Sequence, residues 1–261
     1  MDGLVGSEMC IRDRAITLSN LVSGEALNHS GTATIGSANA GSYTITNLSG
    51  ISIADGSGGT ASNYTLTGGT HNFTVNRRAV SVSGTRLYDA TTDAIASDLT
   101  TMSGLVGSET LNLSGTGSVA NANVASNKTV TVGTLALADN SGLAANYTLS
   151  GGTHQLTVNQ RPLNATIARQ YDGTKTAAGS DLSAFDALQG GETLTLSGSG
   201  TVGDENVANG QGVTLGTLAL VNGTGLASNY SLNSASLNIT ERVLTSSGSV
   251  SYTHLTLPTM S

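Results

Sequence analysis

Hydrophobic residues in this chain alternate with polar residues over short segments, and no segment shows a sustained helical period. Val80 and Val82, and later Leu111 and Leu113, each lie two residues apart among polar neighbours. A period of two predicts half-buried β-strands. The segments between them are rich in Gly, Asn and Ser, which favour turns. The pattern therefore predicts an all-β protein with almost no helix.

The strongest strand signal, in residues 129–137, changes face in its middle. Apolar residues fall on even positions before Gly133 and on odd positions after it, and the same change occurs around Gly216. Such a change at a glycine indicates a β-bulge or a sharp bend, which lets one strand serve two sheets of a small sandwich. Residues 146–158 then predict a hairpin that turns at Gly151-Gly152.

This whole pattern repeats with a period of 83 residues. A fixed period of this size indicates one small folding unit used several times. Two residue pairs mark it most clearly: Tyr88-Asp89 and Tyr171-Asp172, and Asn63-Tyr64, Asn146-Tyr147 and Asn229-Tyr230.

The period divides the chain into a truncated repeat 1 (residues 15–78), repeat 2 (79–161), repeat 3 (162–242) and the start of a fourth repeat (243–250). No flexible linker separates repeats 2 and 3, and Pro162 restricts the backbone at their joint. We therefore expect the repeats to stack into an elongated, semi-rigid rod. The leading fold is a small β-sandwich, immunoglobulin-like or β-grasp-like, and the alternative is a parallel β-solenoid.

The two ends, residues 1–14 and 251–261, break the pattern. They hold the single cysteine, Cys10, and three of the four methionines. Both resemble translated sequencing-adapter read-through, so we interpret them as non-native tails and expect them to be disordered. On this interpretation the chain is a fragment of a longer protein, and Met1 need not be its native start.

Composition narrows the possible partners. The chain has 10 Lys and Arg against 17 Asp and Glu, a net charge of −7. This balance disfavours nucleic acids and anionic membrane surfaces as partners. No apolar run approaches the ~20 residues that cross a bilayer. Charged residues make up 10% of the chain, which fits either disorder or an extracellular β-protein, and the alternation favours the β-protein.

Three motifs carry a family resemblance. The motif Tyr171-Asp172-Gly173-Thr174, the Asn-Tyr pairs and an arginine at the repeat joint resemble the YDG repeat domain of large bacterial surface proteins, which accompanies filamentous haemagglutinin-like adhesins. In repeat 2 the motif has Ala90 in place of the glycine, which indicates that a positive φ is not compulsory there. The resemblance implies a cell-surface array and no catalytic residues.

The repeated motifs have two interpretations. Tyr88, Asp89, Tyr171, Asp172 and Gly173 could form a recognition site on each repeat. The favoured interpretation is structural, with a buried tyrosine ring and an aspartate that accepts backbone N–H groups in the turn. The same interpretation applies to the Asn-Tyr pairs, which comprise Asn63, Tyr64, Asn146, Tyr147, Asn229 and Tyr230.

Acidic loops supply the one metal hypothesis. Asp55 and Asp139 occupy equivalent loop positions, and Asp204 and Glu205 add two carboxylates in repeat 3. Oxygen ligands suit Ca²⁺, but no loop has the spacing of an EF-hand. The favoured alternative is Asx-turns without a metal or any other cofactor. We found no nucleophile motif or phosphate loop, so we do not expect an enzyme.

These observations predict stalk or spacer repeats of a secreted or surface-anchored bacterial adhesin. The repeats would project a binding region and add weak multivalent contacts. The expected location is extracellular or on the bacterial cell surface. The expected partners are neighbouring repeats and a host or matrix glycan or protein. The alternative function is a carbohydrate-binding repeat module, which needs exposed aromatic rings.

Overall fold

A computed structural model describes residues 10–12, 17–45, 47–66 and 71–248. Over these residues the protein is all-β, as predicted, and its several small sheets fit tandem β-sandwich repeats. No described sheet closes on itself or winds as a solenoid, so the solenoid alternative is wrong. The helices found in these ranges are single 3-10 turns, none able to span a bilayer: Ala61–Asn63, Ala96–Asp98, Ala144–Asn146, Gly179–Asp181 and Ala227–Asn229.

The chain forms two compact units. Unit 1 comprises Met1–Arg86, Thr92–Asn121 and Ser126–Thr157. Unit 2 comprises Leu87–Thr91, Ala122–Ala125 and Val158–Ser261. Unit 2 therefore contains repeat 3 and the start of the fourth repeat, together with three short segments of repeat 2: residues 87–91, 122–125 and 158–161.

The first fifteen strands build the sheets of unit 1. Their pairing gives six small sheets, ordered β1-β2-β4, β3-β5, β6-β14, β8-β11, β10-β13 and β12-β15-β7-β9. The strands are β1 (Cys10–Arg12), β2 (Asn28–Thr34), β3 (Gly41–Thr44), β4 (Ile51–Ala54), β5 (Asn72–Val75), β6 (Arg78–Ala79), β7 (Ser81–Leu87), β8 (Asp93–Ile95), β9 (Thr101–Ser103), β10 (Asn112–Ser114), β11 (Thr116–Ser118), β12 (Ala125–Thr129), β13 (Ala136–Ala138), β14 (Tyr147–Thr148) and β15 (Gln155–Asn159).

Eight further strands build unit 2, with sheets ordered β18-β16-β23-β21, β17-β20 and β19-β22. The opening and closing strands of repeat 3 pair in parallel at the centre of the four-stranded sheet. A parallel central pair departs from the antiparallel sheets of an immunoglobulin domain and favours the β-grasp-like alternative. The strands are β16 (Arg161–Gln170), β17 (Thr176–Ala178), β18 (Leu182–Phe185), β19 (Leu194–Ser197), β20 (Ser199–Thr201), β21 (Ala208–Gly212), β22 (Ala219–Asn222) and β23 (Tyr230–Thr240).

Each unit has a thin aliphatic core. In unit 2, alternate residues of β16 and β23 point inward because successive side chains of a strand lie on opposite faces. The central sheet thus buries one face, and aliphatic side chains fill most of the interior, with the partly buried Phe185 packed against them. Its buried cluster consists of Ala165, Ile167, Ala177, Leu196, Val202, Leu218, Ala235, Leu237 and Ile239.

The change of face at Gly133 is a turn. The Leu135 N–H donates to the Val132 carbonyl at 2.9 Å, and Gly133 has φ 55°. The predicted single strand is therefore two strands, β12 and β13, which belong to different sheets. Gly216 repeats this geometry with φ 54°. The predicted hairpin over 146–158 is wrong, because β14 pairs in parallel with β6 and β15 lies between β12 and β7.

One segment of the N-terminal tail takes part in the fold. Strand β1 pairs antiparallel with β2, as β8 pairs with β11 in the next repeat, and β1 and β8 start 83 residues apart. This pairing counts against the hypothesis that the whole tail is disordered. The rest of the two tails lies outside the described residues.

Candidate functional site

The Tyr-Asp motif ends in an Asx-turn in both repeats. The Asp172 Oδ1 atom accepts the backbone N–H and the hydroxyl of Thr174, both at 2.9 Å. Asp89 accepts the same two groups from Thr91 at the same distances. The Thr174 N–H is the main reason why the pKa of the Asp172 carboxyl is lowered. The motif aspartate therefore holds the turn as the structural interpretation describes.

The third residue of the motif is left-handed in both repeats. Gly173 has φ 76°, and Ala90 has φ 63°. The prediction that a positive φ is not compulsory at Ala90 is therefore wrong. Because a Cβ disfavours left-handed backbone, Ala90 carries a strain that Gly173 avoids.

An arginine binds each of the two Tyr-Asp motifs. The side chain of Arg169 is 8% exposed and pairs with Asp172, and its Nη2 donates to the Thr174 carbonyl at 2.6 Å. Arg161, at the repeat joint, donates its Nε–H to the Tyr88 carbonyl at 2.6 Å. Arginine suits both tasks because its planar guanidinium carries several donors in fixed directions.

Within unit 2, Tyr88 of repeat 2 forms a hydrogen bond with a glutamate of repeat 3. Its hydroxyl donates to Glu192 Oε1 at 2.6 Å, and the Tyr230 hydroxyl donates to Glu192 Oε2 at 2.6 Å. The two rings pack edge to face, with centroids 5.3 Å apart and an interplanar angle of 78°. Both are buried, at 3% and 2% exposure. One carboxylate thus joins the tyrosines of two repeat motifs.

This environment raises the pKa of both phenols. Burial is the main cause for each, followed by the hydrogen bond to Glu192, and the pKa of Tyr88 and of Tyr230 rises to about 12. Burial disfavours the charged phenolate, and the neighbouring carboxylate repels it. The cluster is therefore built for neutral tyrosines and one carboxylate acceptor.

The Asn-Tyr tyrosine makes the same contact in every repeat. Tyr147 donates its hydroxyl to Glu109 and accepts the Val106 N–H at 3.1 Å. Tyr64 donates to Glu25 and accepts a backbone N–H at 3.1 Å. Within its own repeat, each tyrosine hydroxyl thus binds both the glutamate side chain and the backbone of the loop that precedes the glutamate.

The Asn-Tyr asparagine reaches the preceding repeat. In unit 2, Asn229 accepts the Val124 N–H at 3.0 Å and donates to Asn123 Oδ1 at 3.0 Å. In unit 1, Asn146 accepts the Ala40 N–H at 2.8 Å and donates to Asn39 Oδ1 at 2.9 Å. The same two-bond clasp therefore occurs at both described joints.

Exposure differs between equivalent residues. Tyr88 is 3% exposed, whereas Tyr171 is 38% exposed. Asn229 is 1% exposed, whereas Asn63 is an exposed residue of repeat 1. Tyr88 and Asn229 each have a neighbouring repeat to contact, and the described residues provide no such neighbour for Tyr171 or Asn63.

The loop aspartates accept backbone N–H groups of their own loops, and Glu205 pairs with a lysine outside its loop. Asp139 accepts the Ala144 N–H at 2.7 Å, and Asp55 accepts the equivalent Ala61 N–H at 2.7 Å. Asp204 Oδ1 accepts the Asn206 N–H at 3.0 Å, and Glu205 pairs with Lys175 at 3.6 Å. In the described ranges no three His, Cys, Asp or Glu side chains gather as a metal site requires. Calcium binding stays an untested prediction.

Sequence reasoning missed the roles of the glutamates and of Arg169. Glu25, Glu109 and Glu192 lie 83 or 84 residues apart, and each precedes an Asn-Tyr tyrosine by 38 or 39 residues. This spacing is visible in the sequence. It carries no meaning until the fold brings the two positions together, because they are far apart along the chain.

A family model for the YDG domain matches residues 72–155 and again residues 153–237. Comparisons with curated proteins and with solved structures found no match. The two matches together cover more than half of the 261 residues. The chain therefore belongs to the YDG domain family.

Proposed function

We propose that this chain contributes tandem spacer modules to a secreted or surface-anchored bacterial adhesin. The modules hold a binding region away from the cell and add weak multivalent contacts. The proposal assigns them no catalytic chemistry. The observation that carries it is the clasp between consecutive repeats, in which Asn229 and Asn146 each hold two groups of the preceding repeat.

Such a clasp supports spacing for a physical reason. Two repeats joined by a flexible linker would reorient freely, so their combined length would grow only with the square root of the linker length. Direct hydrogen bonds at each joint restrict that freedom. The joint between repeats 2 and 3 adds Tyr88, whose ring is buried against Tyr230. Repeats that are hydrogen-bonded to each other suit a component that holds a binding region at a distance from the cell.

Other features fit an exported protein. The sequence between the two tails has no cysteine, so its fold does not depend on the redox state of its compartment.

Small-angle X-ray scattering tests the spacing function. We would compare the chain with a version in which residues 79–242 are duplicated in frame. A spacer predicts that the maximum dimension grows in proportion to the number of repeats. A matched control replaces the duplicated segment with a Gly/Ser linker of equal length. Growth no greater than that of the linker control would refute the spacer function.

Labelling of intact cells tests the location. An antibody raised against residues 79–242 should bind unpermeabilised producing bacteria or detect the protein in the culture medium. Binding that appears only after permeabilisation would contradict the surface assignment, and the scattering result would stand independently of it.

The carbohydrate-binding alternative stays a prediction. Sugar platforms use exposed aromatic rings, whereas Tyr88, Tyr147 and Tyr230 are at most 3% exposed. A glycan array incubated with the full chain provides the test. Binding to one glycan class that is lost in a Tyr171→Ala variant would favour this alternative.

A further inference from the structure

Tyr88 and Tyr230 bring the hydroxyl ends of two phenol rings together inside unit 2. Their hydroxyls donate to the two oxygens of one carboxylate, that of Glu192, at 2.6 Å each. Their ring centroids lie 5.3 Å apart. No other two tyrosine rings in the described part of the chain are in contact. Two phenols from two repeats therefore converge on a single proton acceptor.

This arrangement places the carbons that react in phenol oxidation close to one another. A phenol that loses one electron and its hydroxyl proton becomes a phenoxyl radical, and two such radicals join through the ring carbons next to the C–O carbon. In Tyr88 and Tyr230 these carbons lie at the converging ends of the rings. Both side chains are buried, so packing holds the rings together. Reactants held side by side combine far faster than reactants that must meet by diffusion.

Glu192 supplies the proton acceptor that the oxidation needs. Burial, followed by the hydrogen bond to Glu192, raises the pKa of both phenols to about 12, so each hydroxyl keeps its proton until an electron leaves. The carboxylate takes that proton along the hydrogen bond that already exists. Glu192 is half-buried, so it has access to water and can release the first proton before the second phenol reacts.

The composition of unit 2 favours tyrosine as the group that is oxidised. Cysteine and methionine are readily oxidised side chains, and residues 158–250 contain neither of them and no tryptophan. An electron can also leave a buried ring by tunnelling over a short distance, so the oxidant need not touch the ring. A one-electron oxidant at the surface of unit 2 therefore acts mainly on its tyrosines.

We propose that Tyr88 and Tyr230 form an oxidative crosslinking site that joins repeats 2 and 3 covalently. Two equivalents of a one-electron oxidant, such as a peroxidase intermediate or an oxidised metal complex, each remove one electron. Glu192 accepts the two phenol protons in turn and passes them to water. A carbon–carbon bond then forms between the rings. The bonded carbons lose their hydrogens as protons while both oxygens regain theirs, so the product is a biphenol with two hydrogens fewer than the two tyrosines.

This inference goes beyond the spacer proposal and does not rest on it. The crosslink requires the contact between the two rings within unit 2, whatever the repeats do on the cell. Its failure would leave the scattering test of the spacer function unaffected.

Photo-oxidation of the full chain tests the proposal. Light and persulfate convert tris(bipyridine)ruthenium(II) into a ruthenium(III) complex, which is a one-electron oxidant, and dilute protein keeps the coupling within one molecule. Trypsin places Tyr88 in peptide 87–128 and Tyr230 in peptide 176–242, each without a second tyrosine. We expect dityrosine fluorescence in a chain that runs as a monomer on a denaturing gel. Mass spectrometry should identify these two peptides, linked and lacking two hydrogens, as the main intramolecular product.

Matched variants separate this pair from the other tyrosines. Tyr88→Phe and Tyr230→Phe each keep the ring and remove one phenol, so each should lower the yield of the linked peptides at least about tenfold. Tyr171→Phe is the control, because Tyr171 belongs to the same repeat motif as Tyr88 and should leave the yield unchanged. Circular dichroism checks that each variant is folded.

Glu192→Gln tests the proton acceptor. Glutamine keeps an oxygen at this place but takes no proton, so the yield should fall about tenfold or more. An unchanged yield would overturn the role assigned to Glu192. The crosslinking site itself would be overturned by an oxidant dose that modifies the exposed Tyr171 without linking the two peptides, or by crosslinks that form only between molecules.

Discussion

Replacing Tyr88 with phenylalanine removes one of the two tyrosine hydroxyls that donate to the Glu192 carboxylate. The phenylalanine ring keeps the edge-to-face contact with Tyr230, so packing is preserved. Glu192 keeps its bond from Tyr230 and loses the bond from Tyr88. The substitution therefore removes the bond to Glu192, together with the contact that the Asn229 side chain makes with the same hydroxyl.

The structure indicates the size of the effect. A hydrogen bond to a charged group contributes about 1.5–3 kcal/mol, because the carboxylate left behind has lost a donor in a place with little water. We therefore expect Tyr88→Phe to raise the opening constant of this region about ten- to hundredfold. Tyr88→Ala also removes the buried ring and should cost about 3–5 kcal/mol.

Hydrogen exchange measures this opening locally. The Gln189 N–H is a suitable reporter because it donates to the Tyr230 hydroxyl at 3.1 Å. A global unfolding curve is less suitable, since a chain with two units need not unfold in one transition. The expected result is faster exchange at residues 187–193 in Tyr88→Phe and unchanged exchange in the central sheet of unit 2.

The chain offers a matched control in Tyr171→Phe. The local motif is the same, but the ring is 38% exposed, so exchange should change by no more than the equivalent of about 0.5 kcal/mol. Equal effects at the two positions, or no effect at Tyr88, would refute the reasoning that Glu192 anchors this joint.

Three further predictions concern residues of the two repeat motifs. Asn229→Ala should destabilise unit 2 by about 1–3 kcal/mol in urea unfolding because it leaves the half-buried Val124 N–H without its acceptor, and Asn63→Ala should change little; equal losses would contradict the clasp. Since the pKa of Tyr88 and of Tyr230 is raised from 10.0 to about 12, their contribution to stability should be complete below pH 10 and lost as the pH rises towards 12; tyrosinate absorbance and circular dichroism would show this together, and unfolding complete below pH 10 would exclude it. Ala90→Gly should raise the urea midpoint, since it removes a left-handed strain of roughly 1 kcal/mol; a lower midpoint would show that the alanine is not strained.

Local features of the protein were predictable from sequence. Alternation with a period of two identified the all-β class, because a strand places successive side chains on opposite faces wherever it lies. The Asx-turn at Asp172 was also predictable, since its acceptor and its donor on Thr174 are two residues apart. The change of face at Gly133 was located correctly, although it is a turn between two strands and not a bend within one.

Strand pairing was not predictable, because the alternation of a strand is the same whichever neighbour it has. Nothing local distinguishes a hairpin over residues 146–158 from the parallel pairing of β14 with β6. The parallel pair β16 and β23 joins segments at opposite ends of repeat 3. Pairing over such distances depends on how the whole repeat closes around its core.

The sequence by itself determined the repeat, its period, its strand class and the residues of its turns, since each follows from neighbours along the chain. Only the tertiary structure decided what the repeated residues do. Tyr88 and Tyr171 stand in almost the same local sequence, yet one is buried and the other exposed. The difference comes from Glu192, 104 residues after Tyr88, because burial depends on what the folded chain brings near a side chain.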